Sequence, residues 1–344
     1  MHDVVIIGGG IAGAAAAWFA AQSGRDVTLI DAAIHRASDL PLALINPLRG
    51  RLGRLVPQGI AGARCTFALI DRLVADGHRV EHGRGVWRPL IGAAPELCGR
   101  AGWEALLPQD FRFDWHDRAP ASLALADCVP ALWLAEAGWV APRELCAALI
   151  AASGAHRILA EVVATSPPQA DASRFVTLAD EGRLLARTLL WCGGAWGAAR
   201  LVAACGTGSH PAPADEPPAY KPGSLAITTS ATSDTPLTFG TYTAPFECDG
   251  VTRGVLGPTR EPARRDFSID ASDGDAVAQL AARAGRVFAR PIEVCDTWRG
   301  VRLARIVPSL SEALRGTECI TALGSRGFLM APLFASHWAQ RIAS

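Results

Sequence analysis

The residues with the clearest chemical potential stand near the start of the chain. Gly8-Gly9-Gly10-Ile11-Ala12-Gly13 fits the spacing GxGxxG at positions 8, 10 and 13. Gly8 permits a tight turn, Gly10 lets the backbone approach a pyrophosphate, and Gly13 lets a helix pack closely on a strand. A helix opening there turns its free N–H groups and positive dipole end toward the phosphates. Asp31 follows 21 residues after Gly10, where a carboxylate accepts hydrogen bonds from an adenosine ribose. These residues imply a dinucleotide site and do not separate NAD from FAD.

The elements that must position them are also legible. Residues 3–7 read as a buried parallel strand, 11–23 as a helix ending near Gly24, and 26–31 as a second strand, which together make a βαβ unit. Residues 4–21 contain no charge, so a hydropathy window alone would flag a membrane span. Three consecutive glycines favour a buried strand, turn and helix instead, and Asp3 takes the place of the basic region of a signal peptide. Further along, residues 32–60 read as extended loops and 61–77 as a helix. Residues 84–136 read as short strands or turns, and 142–152 as a helix with Pro142 in its first turn. Residues 157–163, 174–179 and 183–192 read as strands. Residues 205–223 read as a proline-rich linker holding Lys221, 224–270 as β-rich, 275–288 as a helix, 318–323 as a strand, and about 331–343 as a final helix.

Composition narrows the class. The chain has 344 residues, half of them hydrophobic, and 33 cationic against 33 acidic side chains. That excludes disorder and disfavours a dedicated nucleic-acid-coating protein. The nine cysteines lack CxxC pairs or a histidine cluster, so neither a zinc site nor a disulfide framework is expected, and a reduced, cytoplasmic setting fits. His78-Arg79-Val80-Glu81-His82 fits HxxEH, but Gly77 and Gly83 bracket it and leave no helix to bring both histidines to one metal. Arg49, Arg51 and Arg54 form a small basic cluster that is either a solvated face or a contact for an anionic substrate or tRNA.

The C-terminal part carries a resemblance. Trp298-Arg299-Gly300-Val301-Arg302 is followed by Leu323-Gly324-Ser325-Arg326-Gly327-Phe328. Pro41 to Pro47, Gly138 to Leu145 and Cys192-Gly193-Gly194-Ala195-Trp196 precede them in the same order. This set resembles the FAD-dependent D-amino-acid-oxidase superfamily, with glycine and sarcosine oxidases and the FAD domain of a bifunctional tRNA-modifying enzyme as the nearest branches. The resemblance implies an α/β fold: a Rossmann-like FAD domain with a mostly parallel sheet, interleaved with a β-rich substrate domain. Residues 1–60, 137–205 and 296–344 are expected to form the FAD domain, and 61–136 and 206–295 the substrate domain.

It also implies roles. Gly8, Gly10, Ile11, Ala12, Gly13 and Asp31 would hold the ADP half of a non-covalent FAD. Ala43, Leu44 and Ile45 would lie against the isoalloxazine, Val163 near the adenine, and Gly194 and Trp196 near the pyrophosphate. Gly324, Ser325, Arg326, Gly327 and Phe328 would reach the flavin pyrimidine ring, where amide donors and a helix dipole favour hydride acceptance. Arg302 and Arg326 match arginines that hold a substrate carboxylate by a bidentate fork, and Tyr242 matches an aromatic lining the substrate pocket. The segment after Arg302 departs from the family pattern: Arg305 stands where an aspartate segment is usual. No catalytic acid or base and no metal is implied. The implied activity is oxidation of the C–N bond of an amino acid or N-substituted glycine, by hydride transfer to flavin N5, with oxygen or another electron acceptor taking the electrons. A modified tRNA base bearing a carboxymethylamino group is the alternative substrate, and a non-catalytic flavin-binding subunit the alternative of another class. An NAD-linked dehydrogenase is opposed by the C-terminal flavin turn.

Overall fold

Two sheets meet at the glycine turn. The computed structural model describes residues 1–50, 53–93, 95–205, 216–248, 250–270 and 274–343. Arg51 and most of the linker expected over 205–223 therefore lie outside the described residues.

In the first sheet the strands run, in spatial order, Val162–Thr165, Arg174–Leu178, Arg183–Trp191, His2–Ile7, Val27–Ile30 and His156–Ile158. The central strands pair in parallel, Val4 with Val27 and with Thr188. Both faces are covered, which is why VVII and VTLI read as unbroken apolar runs. The uncharged stretch near the N-terminus splits into this strand and the helix Ile11–Gln22. Ala14 to Ala17 are fully buried, because the helix is wedged between Pro142–Ser153 and the C-terminal helix Gly327–Ala343. A helix apolar on all sides is stable only when so enclosed, and alanines let its neighbours approach closely. Arg25 ties the helix end down, donating to both Asp3 carboxylate oxygens at 2.9 Å and to the Ile342 carbonyl at 3.0 Å.

Residues 157–163 are not one strand. His156–Ile158 pairs in parallel with Val27–Ile30 at one end of the sheet order, while Val162–Thr165 pairs with Arg174–Leu178 at the other. In a flat sheet those ends would stand about 24 Å apart at ~4.8 Å per strand. Four Cα–Cα steps reach only about 15 Å. The sheet therefore curls. Arg183–Trp191 shows where: its first half pairs with Arg174–Leu178, and Leu190 and Trp191 pair instead with the short strand Glu318–Cys319. The outer strands peel away at that fork. The strand expected over 318–323 is confined to those two residues.

The second sheet runs Val294–Leu303, Tyr220–Thr228, Val251–Gly257, Tyr242–Cys248, Leu237–Thr238, His82–Pro89, Ala131–Val140 and Ala43–Ile45, with Phe113–His116 beside Ala131–Val140. Ala43–Ile45 and Val294–Leu303, placed by sequence largely with the nucleotide domain, pair here. Helix Gly59–Ala75, placed with the substrate domain, packs on the C-terminal helix, where Thr66 Oγ1 donates to the Phe328 carbonyl at 3.0 Å. Lys221 stands on the Tyr220–Thr228 strand, opposite Arg302, rather than in a linker. Residues 78–81 are not helical, so the two histidines of HxxEH do not share a helix face. Among the described residues no helix is long and apolar enough to cross a membrane.

Candidate functional site: a glycine-walled cleft between the sheets

The cleft lies where the first sheet ends at the glycine turn and the Val294–Leu303 strand arrives from the second. It encloses about 960 Å³, its open mouth included. Gly8, Gly10, Ile11 and Ala12 line one wall and Asp31 another. Gly194, Trp196, Gly324, Gly327 and Arg302 complete it.

Each glycine has its own reason. Gly8 has φ +100°, and a Cβ there would meet the Cys192 carbonyl oxygen at 2.6 Å. Gly13 does not line the cleft; a Cβ on it would collide with the Gly8 carbonyl, so it lets helix and strand touch. Gly10 has an extended backbone (φ −71°, ψ −177°) and precedes the first turn of the helix with no side-chain cap of its own. A Cβ there would meet only Ser38 Oγ, at 3.1 Å. Gly194 and Gly324 have φ +60° and +57°, with nothing within 4 Å of an added Cβ. Gly194 and Gly324 thus leave the opposite side of the cleft free of side chains.

Asp31 directly follows the second strand and accepts a hydrogen bond from Arg36 Nη1 at 3.1 Å; Arg36 Nε reaches Asp39 at 3.3 Å. Burial opposes the charge of Arg36, but Asp39 and Asp31 outweigh it and hold the guanidinium protonated. Ser38 Oγ accepts from the Ile11 N–H at 3.1 Å. Sequence reasoning missed Arg36 and Ser38. They lie in a segment read only as loop, and the separations from Asp31 and Ile11 carry no periodic signal.

The remaining expected residues fall into three groups. Ala43, Leu44 and Ile45 pair with Val140, Trp139 and Gly138 and do not line the cleft; Ala43 and Ile45 pack in the core with the C-terminal helix. Val162 lines the cleft, and its neighbour Val163 is not among the lining residues. Ser325 and Arg326 share the 3₁₀ turn Gly324–Arg326 that leads into Gly327–Ala343, with Phe328 buried behind it. This helix starts at Gly327, earlier than expected, because Pro332 is accommodated within it.

Arg302 is half-buried, and its guanidinium makes no hydrogen bond or ion pair with any described residue. It lies over Gly223, where a Cβ would stand 2.8 Å from Nη2. Burial lowers its pKa and Arg49 lowers it further, while Tyr242 and Glu261 oppose. Tyr242, though not a lining residue, donates to the Leu42 carbonyl at 3.1 Å, and burial pushes its phenol well up despite the Arg302 charge. Glu261 is already engaged by Arg299, at 2.9 and 2.8 Å to its two oxygens. An arginine facing a cleft with no protein partner is suited to an anionic ligand.

The residues present fit a flavin dinucleotide. The open glycine cradle would take a pyrophosphate, Asp31 a ribose, and the Gly324–Arg326 turn an electron-rich ring edge. Trp191, buried and lining the cleft, also leaves its indole N–H without a partner. Among the described residues no group of three or more His, Cys, Asp or Glu side chains could hold a metal.

Comparison with known proteins agrees with that fit. The tRNA 5-methylaminomethyl-2-thiouridine biosynthesis bifunctional protein MnmC of Delftia acidovorans is 28% identical over 383 residues, covering 98% of this chain and 57% of that protein. The chain thus spans little more than half the length of this relative. Glycine oxidase from Bacillus cereus superposes with a TM-score of 0.74 at 20% identity, over 99% of this chain and 95% of that one. Iminodiacetate oxidase from Chelativorans sp. BNC1 gives 0.73 at 20% identity, over 97% and 93%. At such identity these two structures speak for the fold. The family model of the FAD dependent oxidoreductases, DAO, matches residues 3–341, so the chain belongs to the DAO family and is an FAD-dependent oxidoreductase.

Proposed function

We propose that this enzyme oxidises the C–N bond of an amino acid or N-substituted glycine whose carboxylate is held by Arg302. The observation that carries this is the unpartnered Arg302 guanidinium on the wall of the glycine cleft. FAD, bound without a covalent link, supplies the hydride acceptor. The chain's own residues do the rest. Arg302 fixes the carboxylate and hence the direction in which the α-carbon hydrogen points. Tyr242, its hydroxyl anchored to the Leu42 carbonyl, is held in place near Arg302. The surrounding cations disfavour the ammonium form of the substrate, because a like charge nearby lowers its pKa; the nitrogen lone pair is then free to assist hydride loss. In this reading the first sheet carries the dinucleotide and the second forms the wall against which the substrate lies.

The similarity to MnmC proteins over 98% of the chain supports a second reading, in which the N-substituted glycine is the carboxymethylamino group of a modified tRNA base. Steep weakening with salt would accompany tRNA and not a free amino acid. The test of the first reading is the visible spectrum of the holoenzyme, followed without oxygen after adding sarcosine, glycine or D-amino acids. Bleaching by one of them, lost in Arg302→Met, is expected; readmitting air then separates oxidase from dehydrogenase. A flavin that stays oxidised with all of them rejects the small-molecule reading.

A further inference from the structure

Three arginines from distant parts of the chain gather beside the flavin turn. Arg49 closes the short strand Leu48–Arg49, Arg302 lies on Val294–Leu303, and Arg326 ends the turn Gly324–Arg326. Arg49 is exposed, and its Nη2 donates to Ser325 Oγ at 3.0 Å, on that same turn. Arg326 Nε donates to the Leu323 carbonyl at 3.3 Å. Arg302 lines the same cleft as Gly324, the first residue of that turn; burial and the charge of Arg326 lower the pKa of Arg49, and Arg49 adds to the lowering of Arg302 by burial, so Arg49 stands between the other two. Among the described residues no carboxylate stands within 4 Å of any of them, although many of the chain's other arginines are ion-paired.

Three like charges brought together without a counter-ion repel one another, and a single carboxylate engages one guanidinium fork fully. Arg302 is the inner member, over Gly223, and Arg49 the outer, in contact with solvent. We propose that the substrate is an amine carrying two acid groups: one carboxylate seated on Arg302, the second held between Arg49 and Arg326. This rests on the reading of Arg302 given above and narrows it from amino acids at large to amino dicarboxylates.

The test is a pair of unreactive probes titrated into the FAD-loaded enzyme, followed by flavin absorbance and by calorimetry. Oxydiacetate has two carboxylates and methoxyacetate one, each with an ether oxygen in place of the amine. Oxydiacetate is expected to bind about 10- to 100-fold more tightly, the range of one added charge-assisted pair. Arg49→Met should bring the ratio of the two affinities near one, and Arg49→Lys should restore part of it. Equal affinities in the unaltered enzyme overturn the proposal, as does a ratio that Arg49→Met leaves unchanged; the latter would assign Arg49 to the flavin ring alone. If methoxyacetate binds and Arg302→Met weakens it while the diacid gains nothing, only the two-acid proposal falls. If neither acid depends on Arg302, both readings fall.

Discussion

Gly10 and Gly13 differ by three residues and should fail in opposite ways when given a methyl group. At Gly10 the backbone is extended, a conformation any residue adopts, and the only atom an added Cβ crowds is Ser38 Oγ at 3.1 Å. Ser38 is a short side chain that can give by a few tenths of an ångström. Replacing glycine by alanine at a compatible backbone gains about 0.4–1 kcal/mol from the unfolded chain, so Gly10→Ala should leave the FAD-free protein within ~1 kcal/mol of its original stability. The methyl would, however, occupy the approach to the helix N-terminus. Losing one charge-assisted hydrogen bond there, at about 1.5–3 kcal/mol, weakens FAD about 10- to 150-fold. At Gly13 the methyl meets the Gly8 carbonyl carbon at 3.0 Å and Cys192 Cβ at 3.4 Å, with the Gly8 oxygen closer still. Backbone cannot step aside as Ser38 can. Overpacking of this kind costs roughly 1–3 kcal/mol or more, and Gly13→Ala should lose that stability even without FAD. Urea unfolding of the FAD-free proteins and fluorescence titration with FAD measure the two quantities separately. A Gly10→Ala protein that binds FAD as tightly as the original, or a Gly13→Ala protein as stable as it, would falsify the assignment of the turn.

Other consequences follow from single groups. Asp31→Asn should weaken FAD about tenfold through its ribose contact, read by the same titration, with no effect if Asp31 serves only Arg36. Glu261→Gln breaks an ion pair whose side chains are 4% and 8% exposed and should cost about 3–5 kcal/mol; a loss below 1 kcal/mol in urea would show that the pair is dispensable. Burial raises the pKa of Glu261, but hydrogen bonds from Arg299 and Thr259 and the Arg299 charge outweigh it, leaving it below the ordinary value. Its contribution is therefore fully present above the unfolded-state pKa and lost as pH falls through the lower folded-state one, so the gap between original and Glu261→Gln should shrink on acidification below about pH 4. Burial pushes the Cys146 thiol up to about 12 and the Cys192 thiol higher; mass mapping after a thiol reagent should find both unlabelled in the folded protein, and rapid labelling would contradict their burial.

The N-terminal strand, turn and helix were legible because each signal repeats the next: an apolar run, glycines at set spacing, then alanines enclosed by other helices. The stretch 157–163 was not, because a strand's local pattern is silent about its partner. RILAEVV is apolar and β-branched at both ends, and only the pairing shows that the chain leaves one edge and rejoins the sheet at the other; Leu159, 77% exposed, marks the break. The helix Arg100–Leu106 was hidden for another reason: seven residues between Gly99 and Leu107 are too few to display a period. At the site, backbone roles were visible and side-chain partnerships were not. Arg302 was found through a motif, whereas the Ser38 hydroxyl on the Ile11 N–H depends on a loop returning across 27 residues.

The cleft draws on residue 7 at one end of the sequence and residue 327 at the other. No fragment that stops short of Gly327 contains it, so cofactor capture must await synthesis of both segments. Until the closing helix docks on the first one, the glycine turn has a strand behind it but no opposite wall. Once FAD is bound, the free energy of its binding is shared by every segment of that wall. The cofactor thereby acts as a clasp between segments that lie about 320 residues apart along the polypeptide, and flavin-limited cells should accumulate this protein in a form more open to proteolysis.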